Sequence, residues 1–198
     1  HALNGFAGHV PPGRLRQLQS DPDVAWVEPD QVVTIVAKGG KPTPPPPPQV
    51  IPTGVQRIGV NLRNDVSAVG IAIIDTGIDF DHPDLNVVGH VTFVSRTRSG
   101  DDDNGHGTHC AGIAAAKHNT IGVRGVAPNA KLYAVKVLDR SGSGAWSWVI
   151  AGIDWVTANA ASKGIRVANM SLGGAGTSEA LNTAIHNSVA AGVAYCVA

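Results

Sequence analysis

Four short apolar runs constrain this chain more than any other feature of it. Residues 69–74 read Val-Gly-Ile-Ala-Ile-Ile without a polar break, and residues 132–138, 165–170 and 193–198 repeat that signature, the second run with Lys136 and the third with Arg166 and Asn169 inside it. A strand with one wet face alternates apolar and polar residues, whereas a run without alternation suits a strand covered on both faces. Between the runs, Trp146, Val149, Ile150, Ile153 and Val156 recur at helical spacing, and residues 177–191 allow a further helix. Strand, helix, strand, helix predicts an α/β domain with a doubly wound parallel sheet. With 198 residues, 43% hydrophobic and 15% charged, the chain holds a core for one such domain plus a smaller piece, and wholesale disorder is excluded.

Composition marks where the smaller piece ends. Residues 38–54 combine Lys-Gly-Gly-Lys-Pro-Thr with five consecutive prolines at 44–48. Prolines fix φ and lack N–H donors, so the stretch predicts an extended spacer of about 3.1 Å per residue, either a plain linker or a ligand of SH3 type. Ahead of it, residues 11–18 predict a short helix carrying Leu15 and Leu18, Asp21-Pro22-Asp23 a turn, and residues 24–27 and 32–36 strands. Residues 1–37 have too little apolar content for an independent core. The expected organisation is a partial α+β piece over 1–37, a proline-rich linker over 38–48 and an α/β domain over 49–198.

Lys+Arg 15 against Asp+Glu 15 leaves a formal net charge of +0. No basic excess is offered to nucleic acid or to an anionic membrane surface, so neither is an expected partner. No apolar run approaches the roughly 20 residues of a membrane helix. Two cysteines cannot form a disulfide framework. A start at His1 without a signal-peptide pattern and an end on a strand-like run lead us to expect a fragment of a longer protein.

Sites in an open parallel sheet gather at the carboxyl ends of its strands. Asp75 ends the first apolar run, in Ile73-Ile74-Asp75-Thr76-Gly77. A carboxylate there either satisfies loop N–H groups or carries chemistry. His106 follows in Asn104-Gly105-His106-Gly107-Thr108-His109-Cys110-Ala111-Gly112, where Gly105 and Gly107 permit close backbone approach. An aspartate and a histidine at successive strand ends suit an oriented general base. His106, His109 and His118 lack the i, i+4 pair and adjacent glutamate of a zinc-peptidase helix. Asp101-Asp102-Asp103-Asn104-Gly105 lacks the downstream glutamate of a calcium-binding helix–loop–helix and reads as a solvated loop. Cys110 and Cys196 read as free thiols.

These motifs, with His82-Pro83-Asp84-Leu85, Gly125-Val126-Ala127-Pro128 and Asn169-Met170-Ser171-Leu172-Gly173-Gly174, together resemble the subtilisin family of serine peptidases. The resemblance covers residues 49–198. It implies that Asp75 orients the imidazole of His106, which takes a proton from a serine hydroxyl and returns it to the leaving amine. It implies that Gly142, Ser143 and Gly144, and Ser171, Leu172 and Gly173, pair with a polypeptide substrate as added strands. Trp146 and Val149 match positions lining a pocket for a substrate side chain, and equally supply the apolar face of their helix. A structural calcium ion (Ca2+) is implied at Gln49, Asp84, Lys117, Asn119, Ile121 and Val123, with Lys117, Ile121 and Val123 giving main-chain oxygens.

Residues 1–37 resemble the C-terminal half of that family's inhibitory propeptide, through His1-Ala2-Leu3-Asn4-Gly5-Phe6 and the stretch from Asp21 to Asp30. The implication is an intramolecular inhibitor, released by a cut expected after Ala37 with Lys38 as the new N-terminus. The family's nucleophile motif, Gly-Thr-Ser-Met-Ala, does not occur in the chain. The oxyanion asparagine is expected beyond Ala198. The resemblance therefore implies a secreted, calcium-stabilised serine endopeptidase, monomeric at full length, with these residues a truncated and inactive precursor. Two alternatives remain. Aspartic peptidases share the apolar-apolar-Asp-Thr-Gly signature, against which the helical spacing after residue 105 argues; a non-catalytic pseudopeptidase or inhibitor module is the other.

Overall fold

The first apolar run becomes β2 (Gly70–Asp75), buried along its whole length. In the computed structural model, which describes residues 4–35, 48–59 and 68–198, β2 lies at the centre of a five-stranded sheet. Its neighbours are β4 (Lys131–Lys136) and β6 (Ile165–Met170), flanked by β3 (Val87–Thr92) and β8 (Ala194–Val197) in the order β3-β4-β2-β6-β8. Every pairing is parallel. Successive β2 side chains point to opposite faces and both faces are covered. Ile71 and Ile73 pack with Ala111 and Ala115 of α3 (His106–Ala115). Ala72 and Ile74 pack with Val149, Ile153 and Val156 of α4 (Trp146–Lys163) and Ala184 of α5 (Glu179–Ala190). Helices on both faces of a parallel sheet make this the expected doubly wound α/β fold. Burial of each isoleucine contributes about 1.5–3 kcal/mol.

Residues ahead of the proline run are drawn onto this domain. The strand β1 (Val32–Ile35) lies antiparallel between β5 (Ser143–Ala145) and β7 (Leu172–Gly173), forming a second, three-stranded sheet. Two short helices complete the described elements, α1 (Pro12–Gln19) and α2 (Thr53–Arg57). Residues 24–27, expected as a strand, are not in one. In place of strand bonds, Val24 N–H donates back to Asp21 O across a turn at 3.1 Å. The cut after Ala37, the new terminus at Lys38, Val36 and prolines 44–47 lie outside the described residues.

Candidate active site

Asp75 is the last residue of β2 and has no exposed surface. Its neighbour across the carboxyl ends of the strands is the first residue of α3, His106, whose Nδ1 lies 2.8 Å from Asp75 Oδ1 and 3.0 Å from Oδ2. Gly107 makes this approach possible: a Cβ there would stand 2.1 Å from Gly77 O. Thr76 N–H also donates to Asp75 Oδ1 at 2.7 Å. Burial pushes the Asp75 carboxyl above its ordinary value, opposed by the hydrogen bonds from His106 and Thr76. An ionised carboxylate only accepts, so Nδ1 carries the proton and Nε2 is left as the acceptor nitrogen of the ring.

Cys110 follows one helical turn later, its Sγ 4.0 Å from His106 Nδ1. Burial first, and then the charge of Asp75, push this thiol up to about 11. It is therefore protonated at neutral pH and a poor nucleophile. Asp75, His106 and Cys110 form the one group of three such side chains, among the described residues, whose ligand atoms lie within 4.8 Å of one another.

The segments expected to bind substrate flank β1. Ser143 and Gly144 lie in β5 opposite Thr34 and Val33, and Leu172 and Gly173 of β7 pair with Ile35 and Thr34. Gly142 turns into β5 with φ 72, and Ser171 precedes β7, its Oγ accepting from Asn169 Nδ2 at 3.0 Å. Val33 projects into a cavity of about 270 Å³ shared with Trp146, Val149, Leu172 and Leu181. Trp146 and Val149 belong to the core cluster as well, so the structure gives them the packing role. Two acidic side chains ahead of β1 meet helix starts: Asp30 accepts from Ser147 N–H at 2.9 Å and from its hydroxyl, and Glu28 accepts from Ser178 Oγ.

That last serine closes the chain's own Gly-Thr-Ser, at Gly176-Thr177-Ser178. Ser178 caps α5 by accepting Leu181 N–H at 3.1 Å. Its hydroxyl is committed to α5 and to Glu28, not to His106.

A second cluster gathers five of the six residues expected at a metal. Gln49 Nε2 faces three oxygens, Lys117 O at 2.8 Å, Asn119 Oδ1 at 2.9 Å and Ile121 O at 3.2 Å. Asn119 Nδ2 donates to the buried Asp84 Oδ1 at 2.6 Å. Val123 differs, presenting its N–H to Asp84 Oδ2 at 3.4 Å. An amide nitrogen has two protons for those three acceptors. Turned over, the amide would bring Oε1 into the same oxygens, an all-oxygen set of the kind that holds Ca2+.

Sequence reasoning missed the residues behind Asp75 and His106. The acidic loop is not simply solvated: Asp102 accepts hydrogen bonds from Thr76, Asn104, Gly105 and Thr108. Asp103 pairs at 2.5 Å with Lys136, which is buried at the end of β4 and also donates to Thr76 O. A lysine inside an apolar run was the signal available for that pair.

Residues 67–198 match the subtilase family of peptidases, and residues 1–36 match the peptidase inhibitor I9 family. The chain is 42% identical over 201 aligned residues to "Subtilisin E" of Bacillus subtilis (strain 168), covering 99% of this chain and 49% of the relative. It is 46% identical over 155 residues to "Subtilisin" of Bacillus pumilus, covering 76% and 55%. To the "Alkaline protease" of Alkalihalobacillus alcalophilus it is 41% identical over 186 residues, covering 92% and 45%. The chain thus spans about half the length of the curated relatives it matches. With its parallel sheet, its Asp75–His106 pair and a family match over two thirds of its length, the chain belongs to the subtilase family of serine peptidases.

Proposed function

We propose that the whole protein is a secreted, calcium-stabilised serine endopeptidase made as a zymogen. Asp75 holds the Nδ1 proton of His106, leaving Nε2 to accept the proton of a serine hydroxyl and deliver it to the leaving amine. The observation that carries this reading is the 2.8 Å contact between the buried Asp75 and His106, at the carboxyl ends of the parallel strands. The nucleophile and the oxyanion asparagine are assigned to sequence outside these 198 residues, so the polypeptide 1–198 by itself is expected to hydrolyse nothing. Polypeptide substrate takes the place of β1, with Gly142, Ser143, Gly144, Ser171, Leu172 and Gly173 as its flanking strands.

Residues 1–37 serve as the intramolecular inhibitor, 38–48 as linker and 49–198 as the amino-terminal part of the catalytic domain. The antiparallel placement of β1 supports this division. Calcium is held by Gln49, Asp84, Asn119 and the main-chain oxygens of Lys117 and Ile121, with Val123 closing the loop; when bound it supplies positive charge that ties residue 49 to the domain. The name "Alkaline protease" of one relative supports peptide hydrolysis. The proposed enzyme works as a monomer, with neither nucleic acid nor membrane as partner. Balanced charge supports the former, and no helix among the described residues is long and apolar enough to cross a membrane.

The test uses the full-length protein. His106→Ala should lower turnover on the order of 10⁴-fold or more, and a serine-directed phosphonylating reagent should inactivate the parent. Retained activity in the variant would sink the assignment.

A further inference from the structure

The hydrogen bonds converging on Asp102 run in one direction only. Its Oδ1 accepts from Thr76 Oγ1 at 2.8 Å and from the N–H groups of Asn104 and Gly105 at 3.0 Å each. Its Oδ2 accepts from Thr108 N–H at 2.9 Å and Thr108 Oγ1 at 2.5 Å. Neither hydroxyl has a choice of role. Thr76 Oγ1 already accepts Gly107 N–H at 2.9 Å, and Thr108 Oγ1 accepts Asp79 N–H at 2.9 Å, so each points its single proton at Asp102. Thr76 is also the residue whose N–H holds Asp75 Oδ1 at 2.7 Å.

We propose that Asp102 is a positioning residue for the Asp75–His106 pair. Through Thr76 it grips the carboxyl end of β2, and through Gly105 and Thr108 the amino end of α3, and so sets the separation between the Asp75 carboxylate and His106 Nδ1. The inference rests on the proposed reading of that pair. A carboxylate at a helix start is favoured by the helix dipole and by the unpaired N–H groups there. Burial acts to raise the Asp102 carboxyl, yet the hydrogen bonds from Thr108, Gly105 and Asn104 hold it below its ordinary value, which keeps it an acceptor only. An amide has the same shape but two donors. Whichever way it turned, it would set N–H against N–H or O–H: three donors face Oδ1 and two face Oδ2.

The experiment compares Asp102→Asn, Thr76→Val, Thr76→Ser and Asp75→Asn in the full-length protein, reading kcat, KM and the low-field proton resonance of the His106–Asp75 hydrogen bond. Asp102→Asn should lower kcat by about tenfold to a hundredfold with KM changed by less than about twofold, and should move or broaden the resonance, as expected when a supported geometry loosens. Thr76→Val, which keeps the carboxylate, should do the same, and Thr76→Ser should restore both readouts. The threonine pair carries the test if Asp102→Asn fails to fold. Variants that melt earlier but keep the parental kcat and resonance would overturn the proposal, reducing Asp102 to a structural cap. If Asp75→Asn itself leaves kcat and resonance untouched, the pair's reading falls and this inference falls with it.

Discussion

Asp75 and Asp84 are both withdrawn from water, at 0% and 2% exposure, and both accept N–H donors, but what surrounds those donors differs. Around Asp75 every contact has a donor to match its acceptor: the imidazole Nδ1–H and Thr76 N–H point at the carboxylate. Around Asp84 the donors are Asn119 Nδ2 on Oδ1 and Val123 N–H on Oδ2, while beside it the single amide nitrogen of Gln49 is shared by three oxygens. The first site closes on the protein's own protons; the second is where we propose that a cation binds. The two sites should therefore fail differently, one when geometry is lost and the other when a cation is removed.

The largest effect that probes this contrast is Asp75→Asn in the full-length protein. Turnover should fall on the order of 10⁴-fold, because the amide no longer fixes the Nδ1 tautomer or stabilises the imidazolium. Stability should be unchanged or higher. The Asp75 carboxyl is raised by burial, so its favourable contribution to folding is complete below the ordinary carboxylate value and is lost as pH rises through the raised one. At neutral pH the ionised group is a burden that asparagine removes. A variant that stays active but melts several degrees earlier would reverse the comparison.

Chelation should produce the next largest effect, and on stability alone. A ligand at a hundredfold its Kd stabilises by about 2.7 kcal/mol, a shift of roughly 5–10 °C for a domain of this size. Asp84→Asn should shrink that shift without altering the pH profile of turnover. Coincident melting curves with calcium and with chelator would remove the cation from the cage.

The smallest effect separates Asp102 from Asp75 by sign. The Asp102 carboxyl is held below its ordinary value, so its contribution to stability is present above that value and is lost as pH falls through the lowered one. Thermal melts taken from about pH 5 down to about pH 2 should show the parent losing more stability than Asp102→Asn. Parallel curves would mean that the loop is solvated after all.

Parts of this architecture were legible for a simple reason. The strand β2 is covered on both faces, so its apolar run carries no alternation to confuse, and α4 shows its buried stripe at helical spacing. The strand β3 escaped notice because it is a half-buried edge whose pattern is diluted by Gly89 and His90. Asp75 and His106 stood out because each sits in a motif at a strand end. Asp102 did not, since two of its five hydrogen bonds reach it from Thr108 and one from Thr76, 26 residues earlier. Lys136 hid within an apolar run for the same kind of reason, its partners lying 60 and 33 residues away.

By itself the sequence determined which stretches become buried strands and helices, because periodicity and turn residues act within a few positions along the chain. It also determined the chemical groups at the strand ends. Only the tertiary structure decided that Asp75 meets His106 across 31 residues, that Gln49 fills an oxygen cage some 70 residues away, and that β1 lies between β5 and β7. Those pairings depend on strand order and on which helix N-terminus faces which carboxylate. Hydrogen bonds are chosen over distances of about 3 Å, and sequence separation carries no record of them until the sheet is assembled.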